Sequence, residues 1–279
     1  MSAARATIFV NASSGWNPKE DAPKLLQKLF DEGGLETDIR YVEKGVNLAQ
    51  LSRQAFVDGS NIIIAGGGDG TLSATASGVI STGASFGVLP VGTLNHFARD
   101  LKIPLDVESA AKVILGGHTT DVDVGEVNSK TFLNNSILGL YPIYRFLRAA
   151  EERRGWGKRM SFLLGVAKII HRTPKLRVRL FVNGQEIERK TPYILVGNNQ
   201  HAMDGYNLGF RETLCDGKLW IYVMKNRSRW GLLWLLLRLA AGRLDDQLEV
   251  VDLSFETARD HDLVLPALAI FRKHFTDRI

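Results

Sequence analysis

The 279-residue sequence is poor in cysteine and has no long hydrophobic run. Its one cysteine, Cys215, excludes an intrachain disulfide and a metal site built from thiolates. The most apolar stretch, WGLLWLLLRLAAG at 230–242, is interrupted by Arg238. It is shorter than the about 20 apolar residues that a membrane-spanning helix needs. Near the N-terminus, the apolar stretch Ala6–Val10 is too short for the core of a signal peptide. We therefore expect a cytoplasmic protein, with at most peripheral contact at the inner face of the membrane.

The sequence also lacks a dense cluster of positive charge. Its 35 Lys and Arg residues outnumber 30 Asp and Glu residues, which gives a net charge of +5 and a pI near 9.3. The basic residues form no stripe with interleaved aromatic residues, so we expect no nucleic-acid partner. The mild basic excess fits phosphate-bearing small molecules or an anionic membrane surface. Nothing in the sequence indicates an oligomeric state.

The first 120 residues alternate between strand and helix patterns. Strands are predicted at 6–11, 36–43, 61–67 and 85–91, and helices at 18–34, 47–59 and 71–81. Such alternation is typical of βαβ units around a mostly parallel sheet. We therefore predict an α/β domain over residues 1–122.

Residues 123–279 have a different pattern and predict a second, mainly β domain. The stretch 120–138 predicts paired strands, and 141–155 and 158–172 predict helices. From Lys175 apolar and polar residues alternate, and Asn183-Gly184 is a strong hairpin signal. Further strands are predicted at 217–224 and 247–257.

A cluster of glycines follows the third predicted strand, in the stretch NIIIAGGGDGT at 61–71. Glycines at a strand end indicate a sharp bend or a close approach of the backbone to another group. Backbone N–H groups in such a loop form an anion-binding concavity, and a helix opening at Thr71 would favour phosphate. A tight turn is the simpler interpretation. Asp69 argues against it, because a carboxylate beside phosphate is repulsive unless a cation or a reacting hydroxyl group lies between them.

Two more predicted strands end in small polar residues. The first strand ends in Asn11, Ser13, Ser14 and Gly15, and the fourth leads into Pro90–Leu101, which contains Gly92, Thr93 and Asn95. The carboxyl ends of parallel strands meet at one edge of a sheet, where ligands bind. We therefore expect one phosphate site at this edge.

Together these motifs resemble the diacylglycerol kinase catalytic-domain family of lipid kinases, which includes sphingosine kinases. The family's Asn-Pro-x-Ser-Gly stands here as Asn11–Gly15 with alanine for proline, and its Gly-Gly-Asp-Gly-Thr stands intact as Gly67–Thr71. Its Pro-x-Gly-Thr-x-Asn-Asp-Phe-Ala-Arg-x-Leu stands as Pro90–Leu101, with His96 where aspartate is usual. Its Asp-Gly-x-Leu strand matches Asp216-Gly217. The resemblance covers roughly residues 6 to 255.

The resemblance implies a phosphofructokinase-like α/β nucleotide-binding domain followed by a β-sandwich domain. It implies a kinase that transfers the γ-phosphate of ATP to a lipid hydroxyl group, on a diacylglycerol-like, sphingoid or related lipid. It also implies that Asp216, with nearby carbonyl groups, binds a structural Mg²⁺. Asp69 is the catalytic candidate, and the expected nucleotide-binding residues are Asn11, Gly66, Gly67, Gly68, Asp69, Gly70, Thr71, Gly92, Thr93 and Asn95.

One part of the sequence departs from the family. Members carry an Asp-Gly-Glu segment whose aspartate acts as general base, whereas the corresponding region here contains only Asp260 and Asp262 in ARDHDLVL. This departure predicts an impaired kinase, and two alternatives to a lipid kinase stay open. One is a non-catalytic protein that binds nucleotide or lipid, and the other is an enzyme similar to NAD kinases, which share a similar glycine loop.

Several other features have two interpretations. Asp121 and Asp123 share a strand face and are either a pair of functional carboxylates or a solvated edge. His96 either contacts nucleotide or is a tolerated loop substitution. Trp156, within EERRGWGKR, and the segment 230–242 either contact a membrane or belong to a charged turn and a packed helix.

Overall fold

The computed structural model describes residues 4–12, 22–128, 130–139, 176–182, 185–191, 193–204, 207–224, 248–251, 263–265 and 269–276. Its helices are α1 (Ala22–Glu32), α2 (Leu48–Val57), α3 (Asp69–Val79), α4 (His96–Asp100) and α5 (Val107–Leu115). The strands of the first half are β1 (Arg5–Asn11), β2 (Glu36–Val42), β3 (Ile62–Gly66), β4 (Ser85–Leu89), β5 (Val122–Val127), β6 (Lys130–Phe132) and β7 (Asn135–Gly139). The remaining strands are β8 (Leu176–Val182), β9 (Gln185–Thr191), β10 (Tyr193–Asn198), β11 (His201–Asp204), β12 (Asn207–Arg211), β13 (Leu219–Met224), β14 (Leu248–Val251), β15 (Leu263–Leu265) and β16 (Ala269–Thr276).

The chain divides into two compact units. The first contains residues 1–134, 210–217 and 273–279, and the second contains residues 135–209 and 218–272. The mixed α/β architecture predicted from the sequence is confirmed in the described residues, with one parallel sheet and further strands. The predicted division at residue 122 and the predicted β-sandwich stay predictions.

A parallel sheet in the order β2-β1-β3-β4 forms the centre of the first unit. The alternation of buried side chains along β1 shows why it is covered on both sides. Ile8 and Val10 pack in one core cluster with Phe30 of α1, whereas Phe9 packs in another with Leu72 of α3. Because both of their faces are buried, β1, β3 and β4 are nearly continuous apolar runs, whereas the edge strand β2 is more exposed and carries polar residues.

Each of the two core clusters contains residues from a pair of helices. Ala110 and Ala111 of α5 join the cluster of α1, and Ala55 of α2 joins the cluster of α3. Asn47 caps α2, since its side-chain oxygen accepts a hydrogen bond from Gln50 N at 3.1 Å. The four predicted strands and three predicted helices of this region are confirmed, whereas α4 and α5 were not predicted.

The strands of the second unit pair antiparallel. β14, β13, β10 and β7 form one antiparallel sheet in this order. β8 and β9 pair antiparallel, and the last pair, Val182 with Gln185, leaves a two-residue connection at 183–184. This register confirms the hairpin predicted at Asn183-Gly184. The helices predicted at 141–155 and 158–172 lie outside the described residues.

Candidate phosphate-binding site

The site lies where the strand order of the parallel sheet reverses. β1 lies between β2 and β3, so the connection from β1 and the connection from β3 leave the sheet in opposite directions. In such sheets a crevice opens outside the carboxyl ends of the strands at this point. Asn11 ends β1 there, and its amide nitrogen donates a hydrogen bond to Thr71 Oγ1 at 3.1 Å. The sheet therefore brings two of the predicted site residues together, whereas Ser13, Ser14 and Gly15 lie outside the described residues.

The glycine loop after β3 is shaped by close packing. A β-carbon at Gly67 would lie 2.5 Å from Thr71 Cβ and 2.6 Å from Thr71 Oγ1, which no side chain could tolerate. Gly68 is the N-cap of α3 with φ −84° and ψ 176°, a backbone conformation open to any residue. Glycine is therefore required at position 67 by the approach of Thr71, which is one of the two explanations that the sequence offered.

Helix α3 begins two residues earlier than predicted, at Asp69 instead of Thr71. Asp69 and Gly70 thus belong to its first turn, and their N–H groups have no acceptor within the helix, whereas Thr71 N donates to Gly68 O at 2.8 Å. The N-terminal end of a helix also carries a partial positive charge. Gly70 adds open space, since a β-carbon there would meet nothing within 4 Å. Free backbone donors, a favourable dipole and access from outside are the three properties that a phosphate group requires.

The loop that follows β4 lies directly against the first one. A β-carbon at Gly92 would overlap the α-carbon of Gly68 and would lie 2.8 Å from the Gly68 nitrogen. Asn95 holds this second loop in shape from a left-handed backbone conformation, with φ 51°. Its side-chain oxygen accepts a hydrogen bond from Gly92 N at 3.0 Å, and its amide donates to Pro90 O and Gly92 O, both at 2.9 Å. Asn95 is 5% exposed and therefore acts on its own loop, whereas Thr93 is exposed.

Asp69 joins the two loops through its carboxylate. Oδ1 accepts a hydrogen bond from Phe97 N at 3.0 Å and Oδ2 accepts one from His96 N at 3.3 Å. Both donors belong to the first turn of α4, so Asp69 caps that helix from another element of the fold. Asn134 supplies a third donor, from its amide nitrogen to Oδ1 at 2.9 Å. Oδ2 thus accepts one hydrogen bond from these donors and keeps capacity for a second, because a carboxylate oxygen has two lone pairs.

A buried ion pair lies behind Asp69. Arg211 donates from Nε to Asp100 Oδ2 at 2.8 Å, and its Nη2 lies 2.7 Å from the same oxygen. The two side chains are 1% and 2% exposed. Arg211 also donates from Nη1 to Leu133 O at 2.7 Å and from Nη2 to Asn134 Oδ1 at 2.9 Å. Its guanidinium carbon lies 5.8 Å from the centre of the Phe97 ring, within the range of a cation–π contact.

Burial shifts both partners of this pair toward their neutral forms. It raises the pKa of the Asp100 carboxyl above its usual value, and the charge and hydrogen bonds of Arg211 oppose that shift. Burial also lowers the pKa of the Arg211 guanidinium. The negative charge of Asp100 and, more weakly, those of Asp69 and Asp123 oppose this shift. The attraction therefore mainly offsets the cost of removing both charges from water, and the loss of either partner would be costly.

The predicted metal residue lies in a different part of the first unit. Asp216 is half-buried in the loop 212–218, and its neighbour Gly217 has a φ of +73°. Gly217 N donates a hydrogen bond to Asp123 Oδ2 at 2.8 Å, and Asp123 N donates to Leu214 O at 2.7 Å. Asp123 is 1% exposed, so the interpretation of Asp121 and Asp123 as a solvated edge is wrong for Asp123; Asp121 is exposed.

The two expected ligands fit the described residues unequally. The start of α3 fits the phosphates of a nucleotide, because the N–H groups of Asp69 and Gly70 have no acceptor within the helix and Gly70 faces open space. No group of three or more His, Cys, Asp or Glu side chains that could hold a metal ion occurs in the described part of the chain. Side chains alone therefore do not form a Mg²⁺ cage around Asp216, and any such site would depend on carbonyl groups and water.

Sequence analysis missed three residues of the site: Asp100, Asn134 and Arg211. Arg211 lies 77 positions from Asn134 and 111 positions from Asp100, and no local pattern marks any of them. The one feature of the sequence that could have indicated these three residues is that each is a charged or amide residue next to an apolar segment. Asp260, Asp262, Trp156 and the segment 230–242 lie outside the described residues. Among the described residues, no helix is long and apolar enough to cross a membrane.

Comparison with known proteins agrees with this geometry. The model of the diacylglycerol kinase catalytic domain matches residues 5–127, which contain both glycine loops. A diacylglycerol kinase of Staphylococcus saprophyticus is 38% identical over 133 residues, which are 47% of this chain and 43% of that protein. A diacylglycerol kinase of Staphylococcus carnosus is 29% identical over 219 residues, which are 77% of this chain and 69% of that protein. Several of these curated relatives are thus matched over less than half of their length.

Solved structures extend the likeness of the fold to nearly the whole chain. A crystal structure of a diacylglycerol kinase from Bacillus anthracis superposes with a TM-score of 0.63 at 21% identity, covering 98% of this chain and 95% of that one. A second structure from the same organism reaches a TM-score of 0.69, also at 21% identity and with the same coverage. The resemblance predicted from the motifs is confirmed for residues 5–127, which match the diacylglycerol kinase catalytic domain.

Proposed function

We propose that this protein is a lipid kinase that transfers the γ-phosphate of ATP to a lipid hydroxyl group. The observation that carries the proposal is the contact between Gly68 and Gly92, which joins the two glycine-containing loops at the switch point of the parallel sheet. The two curated relatives from Staphylococcus are named diacylglycerol kinase, which supports a lipid as the acceptor. Both lipid classes offer an acceptor for this chemistry, because a diacylglycerol has one free hydroxyl group and a sphingoid base has two.

The residues of the site have distinct roles in this reaction. The N–H groups of Asp69 and Gly70 in the first turn of α3 would bind the phosphates, and Gly68 and Gly70 would keep the approach to the backbone open. The acceptor oxygen forms a new bond to the γ-phosphorus while the bond from that phosphorus to the β–γ bridging oxygen breaks, and ADP leaves. Asp69 Oδ2, with its remaining lone pair, would orient the acceptor hydroxyl group and receive its proton.

Magnesium has two proposed places. One Mg²⁺ would accompany the nucleotide, since this ion keeps several waters and binds mainly through phosphate oxygens. A second would bind near Asp216 through carbonyl groups and water. Within the loop 212–218 two carboxylates, those of Glu212 and Asp216, would be available to this ion. No step of the transfer depends on this second ion.

We also propose that turnover is slow. The family's Asp-Gly-Glu segment has no counterpart here, so Asp69 would have to act in place of the base that this segment supplies, and the loss of a dedicated general base costs about 10²–10⁴-fold in rate. The same departure supports the second candidate function, a protein that binds nucleotide and lipid without catalysis. The motif at Pro90–Leu101 and Asp216-Gly217 favour a lipid kinase over an enzyme similar to NAD kinases.

A transfer assay separates these functions. Labelled ATP is incubated with vesicles that contain diacylglycerol, a sphingoid base or phosphatidylglycerol, and with NAD in a parallel reaction. We expect slow labelling of one lipid and none of NAD. Labelled NADP would contradict the proposal, and ATP binding without any labelled lipid would favour the non-catalytic candidate. Gly68→Val serves as the inactive reference, because a β-branched side chain would fill the approach to the phosphates.

The same vesicles test membrane contact. The net charge of +5 predicts binding to vesicles that contain anionic lipid, and this binding should weaken as salt is added. Equal recovery with neutral vesicles would contradict an electrostatic contact. This arm is independent of transfer, so a protein that fails to phosphorylate lipid can still be shown to bind it.

A further inference from the structure

The amide of Asn134 has only one orientation that satisfies both of its neighbours. On one side lies the guanidinium group of Arg211, which carries donors and no acceptor. On the other side lies the carboxylate of Asp69, which when ionised carries acceptors and no donor. The oxygen of Asn134 therefore faces Arg211 Nη2 at 2.9 Å and its nitrogen faces Asp69 Oδ1 at 2.9 Å. A reversed amide would face a donor with a donor and an acceptor with an acceptor.

Arg211 is itself held from several directions, so it can act as the fixed end of this chain. Asp100 accepts hydrogen bonds from its Nε and its backbone nitrogen, at 2.8 Å and 3.3 Å, and Leu133 O accepts one from Nη1. Its side chain is 1% exposed, so no water competes for its donors. A donor of Arg211 is thus always presented to Asn134, which fixes the orientation of the amide.

The other end of the chain reaches the glycine loops. Asp69 lies in the first turn of α3, one residue after Gly68, and accepts hydrogen bonds from the N–H groups of His96 and Phe97. His96 directly follows Asn95, the residue that shapes the loop around Gly92. The placement of Asp69 therefore determines how the two loops lie against each other.

We propose that Arg211 and Asn134 are positioning residues, which fix the Asp69 carboxylate between the two glycine loops and thereby set the geometry of the phosphate site. Neither residue needs to touch nucleotide. Arg211 sets the direction of the Asn134 amide, and the amide holds Asp69 Oδ1, so that Oδ2 alone is left with capacity for the acceptor hydroxyl group. The link to catalysis rests on the proposed kinase function, whereas the positioning itself does not.

The decisive variant is Asn134→Asp, because it reverses the polarity of one contact only. A carboxylate at this position can still accept from Arg211, but it cannot donate to Asp69. Two carboxylates at this distance cannot both stay ionised at neutral pH without repulsion, and a proton shared between them restores the bond at about pH 5. The other ionisable groups nearby are Arg211, Asp100, Asp123 and His96, and they are present in the unchanged protein at both pH values.

The first readout is hydrogen exchange at the amides of His96 and Phe97, which donate to Asp69. In Asn134→Asp we expect their protection, corrected for intrinsic exchange, to fall about 10-fold at about pH 7.5 and to recover at about pH 5. Asn134→Ala removes the amide without adding charge, so it should lose the protection at both pH values. Asn47→Asp makes the same chemical change at the exposed cap of α2, where a carboxylate can still accept from Gln50, and should change nothing at either pH.

The second readout is the affinity for ATP measured by calorimetry on the same proteins. We expect affinity to follow protection, weakening about 10-fold in Asn134→Asp at neutral pH and recovering in acid. Unchanged protection at His96 and Phe97 in both Asn134 variants would overturn the positioning role. If the unchanged protein fails to bind ATP while protection responds as expected, the kinase function fails and the positioning role stands.

Discussion

Gly92 packs against the backbone of Gly68 so closely that a β-carbon at position 92 would overlap the Gly68 α-carbon. The two residues belong to different connections of the sheet, one following β3 and the other following β4. Their contact is the point at which the two glycine loops form one surface. Glycine is therefore required at position 92 by packing, independently of any ligand.

Gly92→Ala should separate the loops. The methyl group would lie 2.8 Å from the Gly68 nitrogen and 2.7 Å from Asn95 Oδ1, so both must shift. We expect a loss of about 1–3 kcal/mol of unfolding free energy, typical of overpacking, and a loss of ATP affinity. Gly83→Ala is the matched control, because its nearest neighbour, Phe56 Cζ, would be 3.9 Å away. ATP affinity that survives in folded Gly92→Ala would show that the loop contact is not needed for binding.

Helix α3 offers a pair of glycines for a stability test. A β-carbon at Gly78 would overlap the Ala49 carbonyl oxygen and would lie 2.7 Å from Ser52 Cβ, so α2 can pack this closely only against glycine. Gly78→Ala should cost about 1–3 kcal/mol, despite the better helix propensity of alanine. Gly70→Ala, in the same helix but facing open space, should instead gain about 0.5–1 kcal/mol. Urea unfolding of both variants measures this, and equal stabilities would contradict the packing argument.

We expect a single substitution in the buried pair of Asp100 and Arg211 to lower the unfolding free energy strongly. Asp100→Asn leaves the guanidinium charge buried without its counter-charge, which typically costs about 3–5 kcal/mol. Glu108→Gln breaks the exposed pair with Lys112 in α5 and should produce no measurable change in unfolding free energy. A loss in Asp100→Asn as small as in this control would show that water reaches the pair.

A double variant separates stability from positioning at the same place. Asp100→Leu combined with Arg211→Met replaces the pair by apolar side chains of similar size, and such replacements are often neutral or stabilising. Stability should return, whereas protection of the His96 and Phe97 amides should not, since Asn134 then lacks the donor that orients it. Recovery of both would contradict the role of Arg211.

The sequence predicted the sheet and the location of the site for physical reasons. Strands β1, β3 and β4 are buried on both faces, so they appear as continuous apolar runs, and their carboxyl ends must meet at one edge. The glycine motifs then identified the loops at that edge. The short helix α4 was missed because its five residues are too few for a periodic pattern, and its N-cap, Asn95, has an unusual left-handed conformation.

The contacts of Asp69 could not be predicted in the same way. Its partners His96, Phe97 and Asn134 lie 27, 28 and 65 positions away along the chain. Contacts at such separations depend on how the loops pack after folding, which composition and periodicity do not determine. The motif therefore predicted a functional role for this carboxylate, whereas the protein groups that hold it became visible only in three dimensions.

The proposed Mg²⁺ site at Asp216 predicts that Mg²⁺ stabilises the protein against unfolding. If Mg²⁺ binds there, saturating Mg²⁺ should raise the unfolding free energy by about 2.7 kcal/mol at a concentration 100 times the dissociation constant. Asp216→Ala should lose this response, whereas Asp121→Ala, at an exposed aspartate just before β5, should retain it. Thermal unfolding with increasing Mg²⁺ measures both. An undiminished response in Asp216→Ala would assign the ion to another place.

The carboxylate of Asp69 makes the last prediction. An amide at this position has one acceptor oxygen, whereas the N–H groups of His96 and Phe97 donate to the two different oxygens of the carboxylate. In Asp69→Asn the amide nitrogen would face one of these N–H donors, so we expect ATP affinity to fall. The substitution also removes the proposed base, so we expect kcat to fall by about 10²–10⁴-fold. Asp58→Asn, at the exposed end of α2, is the matched control. Initial rates at varied ATP separate the two effects. A change confined to the KM for ATP, with kcat intact, would show that Asp69 only positions the loops, and the proton acceptor would then have to be sought among Asp260 and Asp262.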